Sequence, residues 1–321
     1  FTNLKLDGTV GSYRFTYTTE DTLFTNHENV TLTFGVADHL SISRQPVGGN
    51  KVGDALSTQP WIEVRDLDEN VVTDNTSTIG LAIDNDTAGN VTAGTQSMNA
   101  VAGVAKFSGV IISGDSTHNY KLKFTDGSLT STTSNAISLI NADAASLKVT
   151  TDAASLHSGV NFGTQPVVKI YDRFDNLVVT GASASATITV ASNKGTLTGT
   201  KQVAAVGGVA TFTDLSLSGA VASDYSLTFT LATPSLSVTQ SNIAMTFGLI
   251  DHLTISTQPA GGNKTGDALS AQPVIAVRDA AGNIVADSQA TVSVSVLSDS
   301  TGSLSSGTTS VAASAGIATF S

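Results

Sequence analysis

Three copies of one short segment set the architecture of this chain. Gln59-Pro60-Trp61-Ile62-Glu63-Val64-Arg65-Asp66 closes on Asn70-Val71-Val72, Gln165-Pro166-Val167-Val168-Lys169-Ile170-Tyr171-Asp172 on Asn176-Leu177-Val178, and Gln272-Pro273-Val274-Ile275-Ala276-Val277-Arg278-Asp279 on Asn283-Ile284-Val285. Each reads as a β-strand, a tight polar turn and the start of the next strand. The copies lie about 106 residues apart, the size of one small β-sandwich domain. The 321 residues therefore hold roughly three domain equivalents.

Composition points the same way. Only 13 % of residues are charged and 6 % aromatic, while Ser, Thr, Val, Ala and Gly dominate, which suits short strands and many turns. There is no cysteine, so neither a disulfide nor thiolate chemistry is available; in an exported sandwich this favours a prokaryotic origin. A net charge of −11 opposes binding to nucleic acid or to an anionic membrane surface. No apolar run approaches the ~20 residues that span a bilayer, so no membrane insertion is expected in this segment.

In chain order, residues 1–36 read as the C-terminal part of a sandwich, 37–142 and 143–248 as complete ones, and 249–321 as the N-terminal part of another. Phe1 aligns with Phe107 and Phe212 inside later repeats, and Phe320 falls at the same point, so the expectation is a window on a longer array. Tyr13, Tyr120 and Tyr225 each precede a late strand, where a tyrosine can tie the corner of a sandwich. Repeats one and three are the closer pair: Gln45-Pro46-Val47-Gly48-Gly49-Asn50-Lys51 nearly returns as Gln258-Pro259-Ala260-Gly261-Gly262-Asn263-Lys264. Junctions such as Thr33-Phe34-Gly35-Val36-Ala37 leave almost no linker, which favours a stiff rod.

With Val277-Arg278-Asp279-Ala280-Ala281-Gly282-Asn283-Ile284-Val285 and the closing Gly316-Ile317-Ala318-Thr319-Phe320 in view, the chain resembles the bacterial immunoglobulin-like repeats of the invasin and intimin type. The resemblance covers nearly the whole chain, and Glu69 and Asp175 depart from it where the third copy has Gly282. It implies an all-β array of immunoglobulin-like sandwiches joined end to end, in an extracellular protein at a prokaryotic cell surface. The implied role is a non-enzymatic stalk or fibre, an adhesin-type spacer. A surface-layer or filament subunit that assembles laterally and a glycan- or receptor-binding module are the alternatives. Partners would be other copies, further domains of the same chain, or a surface glycan or receptor.

In the repeated strand, Ile62 and Val64, Val168 and Ile170, and Ile275 and Val277 should face the core, leaving Glu63, Lys169 and Ala276 toward water. Trp61 falls on the outer face, where local packing competes with a contact to a neighbouring chain or a sugar. No cofactor is required. Calcium is the one cation for which oxygen ligands lie close together, at Asp66 and Asp68 and at Asp84 and Asp86, although Asp and Asn are also ordinary turn formers. The turn residues Asp66, Asn70, Asp172, Asn176, Asp279 and Asn283 carry the repeat motif. His39 and His252 recur at junctions, and Lys169 faces outward, against an isopeptide clamp. No Ser-His-Asp set or nucleophile elbow stands out. Asn29, Asn75, Asn85, Asn90 and Asn263 begin glycosylation sequons.

Overall fold

A computed structural model describes residues 2–84, 86–261, 264, 266–296, 302–304 and 307–321; the sequence readings at Phe1, Asn85 and Asn263 lie outside them. Among the described residues the regular structure is strand, with a single 3-10 turn at Ala182–Ser185. The chain is all-β and built of immunoglobulin-like sandwiches. Contacts divide it into two units, residues 1–143 with Asp172–Asn176 and residues 144–171 with 177–321.

In the first unit, Trp61–Arg65 is the middle strand of a sheet with His39–Arg44 and Val104–Lys106. Facing it, Thr78–Ile83 and Leu122–Thr125 form the centre of a four-stranded sheet edged by Ser97–Asn99 and Thr132–Thr133. Period-two alternation places Ile62, Val64, Ile79, Leu122 and Phe124 between the layers, all fully buried. Each such side chain contributes roughly 1.5–3 kcal/mol. The rings of Phe107 and Phe124 meet at 5.5 Å in this core. Residues 11–32 form a separate hairpin, pairing Gly11–Tyr13 with Val30–Leu32 and Thr16–Thr18 with Phe24–Asn26.

In the second unit, Ala144–Thr151, Val167–Asp172 and Val209–Thr211 make one sheet. The other orders Leu156–His157, Leu236–Thr246, Ala222–Leu231, Thr187–Ser192 and Gln202–Ala204, its first pair running parallel. Val168, Ile170, Ile188, Phe212 and Phe229 fill the space between. A second, smaller core of Val277, Val292, Ala313, Ala318 and Phe320 belongs to a sheet of Ile250–Thr257, Val274–Asp279 and Ile317–Thr319 with the pair Thr291–Ser293 and Ser310–Ala312.

One face assignment is corrected: Ala276 is fully buried. Its strand is central, with Thr254 and Ile317 opposite it on either side, and a methyl group is too short to emerge between such neighbours. Glu63 and Lys169, at the matching positions, are partly exposed.

A recurring hairpin explains one glycine in each repeat. Ala102-Gly103, Gly207-Gly208 and Ala315-Gly316 all have two successive positive φ values, the geometry of primed two-residue turns. A Cβ on Gly103, Gly208 or Gly316 would lie 2.5 Å from the carbonyl oxygen of Val72, Val178 or Val285.

Candidate functional site

The repeated turn closes on its own aspartate. Asp66 Oδ1 accepts the backbone N–H groups of Asp68 and Asn70 at 3.0 and 2.8 Å. Asp172 Oδ1 does so from Phe174 and Asn176 at 2.8 and 2.9 Å, and Asp279 Oδ1 from Ala281 and Asn283 at 3.0 and 2.8 Å. This is the local bonding that makes Asp a turn residue. The fourth position is left-handed, with φ +66° at Glu69, +67° at Asp175 and +84° at Gly282. Glycine takes that conformation at little cost, whereas Glu69 and Asp175 are held in it by the surrounding bonds.

The second carboxylate oxygen reaches away from the turn. Asp66 Oδ2 accepts from Gly35 N–H at 2.6 Å, Asp172 Oδ2 from Ala142 at 2.8 Å and Asp279 Oδ2 from Gly248 at 2.8 Å. The donors sit at the short junctions seen in the sequence. Asp66, Asp172 and Asp279 are all buried. Burial alone would raise the Asp66 carboxyl, but the bonds from Gly35, Asn70 and Asp68 outweigh it and hold the group below the usual carboxylate range. Asp279 is lowered in the same way, burial being overcome by Gly248, Asn283 and Ala281.

The asparagine completes the device. Asn70 accepts from Val10 N–H at 2.8 Å and donates to Gly8 C=O at 3.0 Å. Asn176 accepts from Ser116 at 3.0 Å and donates to Gly114 at 2.9 Å. Asn283 accepts from Val221 at 3.0 Å and donates to Gly219 at 2.9 Å. Each amide also donates to its own aspartate, at 3.0, 3.1 and 2.8 Å. Between the two clamped backbone groups lies a carbonyl taken by the corner tyrosine: Tyr13 to Thr9 at 2.6 Å, Tyr120 to Asp115 at 2.6 Å and Tyr225 to Ala220 at 2.8 Å. Burial pushes the Tyr120 hydroxyl up to about 12, so it stays a donor throughout the ordinary pH range. Two consecutive peptide units, through three of their backbone groups, are thereby fixed by one amide and one phenol. In the first unit Phe174, carried on the Asp172–Asn176 turn, adds apolar packing against the Leu40, Ile62 and Phe124 core.

The remaining sequence candidates fall elsewhere. Asp68 contributes its backbone to the turn, and Asp66 is saturated by donors. Asp86 accepts from Ala88 N–H at 2.8 Å and lies 3.1 Å from His118 Nδ1; the N–H bond and then the imidazole hold its carboxyl low. Asp84 sits two residues away, its N–H on Lys121 C=O at 2.9 Å. The two acidic pairs thus occupy different turns, and among the described residues no three His, Asp or Glu side chains are arranged to hold a metal ion. Trp61 lies between the strand neighbours Arg44 and Lys106, with the Lys106 ammonium 4.4 Å and the Arg44 guanidinium 5.2 Å from its ring centre. His39 and His252 each pair with the preceding aspartate, Asp38 and Asp251.

Sequence reading missed the glutamine that opens each motif. Gln59 bonds both the N–H of Val110 and the C=O of Leu56, at 2.8 and 2.9 Å; Gln165 bonds Leu215 N–H and C=O at 3.0 and 2.9 Å. Its recurrence before proline in all three copies was the available signal.

No protein-family model and no curated protein matches the chain. Solved structures similar to parts of it include the apo β-glucuronidase 3 of Bacteroides uniformis, at 14 % identity and TM-score 0.24 over 63 % of this chain and 24 % of that one. Extracellular domains 3–5 of Drosophila OTK are 12 % identical with TM-score 0.25 over 75 % and 77 % of the two chains. A chimeric titin Z1Z2 is 9 % identical with TM-score 0.20 over 66 % and 98 %. The chain spans about a quarter of the length of the glucuronidases it matches. At these scores the likenesses carry no argument about activity.

Proposed function

We propose that this chain is a non-enzymatic structural repeat region of an extracellular prokaryotic surface protein, its successive sandwiches clamped into a stiff stalk or fibre. The supporting observation is the threefold recurrence of one device: a buried aspartate on a junction N–H, and an asparagine on the backbone of the preceding tyrosine corner. A site that recurs once per repeat and spends its polar groups on backbone atoms serves geometry rather than turnover. Buried polar groups that are fully satisfied fix one arrangement, because any other leaves them unpaired.

Electron microscopy of the native assembly, on cells and after gentle release, tests the reading. Thin projections of constant width support a stalk. Flexible beaded strings, or a protein retained in the cytoplasm, refute it, and a regular lattice would transfer the role to lateral assembly. Repeating the observation with a calcium chelator shows whether any cation shares the work.

A further inference from the structure

One row of the first repeat departs from the pattern that the same sheet follows in the other two. On the outer face of the sheet built on Trp61–Arg65, Trp61 stands between Arg44 and Lys106. The matching row of the third repeat is Thr257, Val274 and Thr319, and that of the second is Thr151, Val167 and Thr211. Local geometry fixes the correspondence. A bulge precedes both Arg44 and Thr257, and the Ser43 hydroxyl donates to Trp61 C=O as the Thr150 hydroxyl does to Val167 C=O. Thr-Val-Thr is an ordinary outer row for a sheet, so the fold is built twice without the charges.

The substituted row is cationic and lacks counter-ions. Arg44 and Lys106 are exposed, with their charged heads 5.2 and 4.4 Å from the Trp61 ring centre. Among the described residues neither pairs with a carboxylate, although the chain holds 26 acidic side chains against 15 lysines and arginines. Cations elsewhere do pair, as Lys51 with Asp143 and Arg65 with Glu63, both at 2.6 Å. The second of these pairs engages Glu63, the carboxylate two residues along the strand from Trp61. Arg44 and Lys106 are instead held over an indole, which places their heads without neutralising them. At physiological ionic strength, screening over about 8 Å limits repulsion from the rest of this acidic chain, so the local cations govern what binds.

We infer that Arg44, Trp61 and Lys106 form a binding site for an acidic oligosaccharide, a short chain of uronic-acid sugars. The two cations take carboxylates, and the partly exposed indole offers an apolar surface to the C–H face of a sugar ring. Strand pairing decides against a peptide: Trp61–Arg65 is paired on both edges, which closes the strand addition by which extended peptides gain affinity. The inference goes beyond the stalk reading and is independent of it, since none of the three residues belongs to a junction clamp.

Titration calorimetry on the 321-residue chain tests the site with tetrasaccharides of galacturonate, mannuronate and glucuronate. Maltotetraose is the neutral control and tetraglutamate the acidic peptide. At least one uronide should bind, more weakly as salt is raised, and maltotetraose should not. Arg44→Thr and Lys106→Thr should each weaken that binding about tenfold. Combining both with Trp61→Val should abolish it, while strand content by circular dichroism stays that of the parent, because the triple variant restores the row with which two other repeats fold. Uronides that bind no better than maltotetraose, undiminished binding by the single and triple variants, or tetraglutamate bound as tightly as the best uronide would each overturn the proposal.

Discussion

Asn176→Ala is the perturbation that isolates the clamp. The side chain is buried and makes two bonds to backbone groups of Gly114 and Ser116 and one to the Asp172 carboxylate. Truncation leaves the Ser116 N–H and the Gly114 carbonyl without these partners. At about 1 kcal/mol for each backbone bond and about 2 kcal/mol for the bond to a charged acceptor, the loss approaches 4 kcal/mol, less whatever water recovers. Trp61, the chain's single tryptophan, lies in the same unit, so its fluorescence reports urea unfolding there. With a slope of about 2 kcal/mol/M, a 3 kcal/mol loss moves the midpoint down by about 1.5 M. Asn283→Ala removes the same bonds in the other unit and should leave the Trp61 transition in place. A shift for Asn176→Ala below about 0.3 M, on the order of 0.6 kcal/mol at that slope, or an equal response to Asn283→Ala, would refute the assignment.

Three further expectations follow from named geometry. Gly49→Ala, at φ +84° with open space around it, should cost about 1 kcal/mol, whereas Gly103→Ala also drives a Cβ to 2.5 Å from Val72 O and should cost at least twice as much in the same unfolding assay. Ala276→Asp should unfold the third repeat in a protease-resistance assay, because it places a carboxylate in a fully buried site, while Lys169→Asp, at the partly exposed matching position, should be tolerated. Asp66 and Asp279 are lowered in the folded state, so the unfolded chain takes up protons first. Their stabilisation is complete above the ordinary value near 3.9 and is lost as pH falls below about 4 through the lower folded values; a midpoint that rises on acidification would contradict this.

The sandwich repeat was legible because it is written in side chains: alternation in Ile62-Glu63-Val64, the recurring core Phe107 and Phe212, and a tyrosine ahead of a late strand. The clamp was legible only as a turn. Asp66 and Asn70 announce local bonds, but their distant partners, Gly35 N–H, Val10 N–H and Gly8 C=O, are backbone atoms some 30 to 60 residues away, and backbone groups leave no residue signature. In sequence, an aspartate whose oxygens accept peptide N–H groups, as Asp66 does, carries the same signature as one that takes a cation. Ala276 was misplaced because strand alternation gives direction and not depth. A short side chain in a middle strand is buried whichever way it points.

The central claim is that the asparagine clamps fix the geometry of a junction, and a distance distribution across one junction tests it directly. In this cysteine-free chain, nitroxide labels at Thr239→Cys and Asp287→Cys, both exposed positions in the second unit, would be measured by pulsed electron paramagnetic resonance. The account predicts one narrow distribution that broadens when Asn283→Ala is added. A distribution already broad in the parent, or one that stays narrow in the variant, would contradict it.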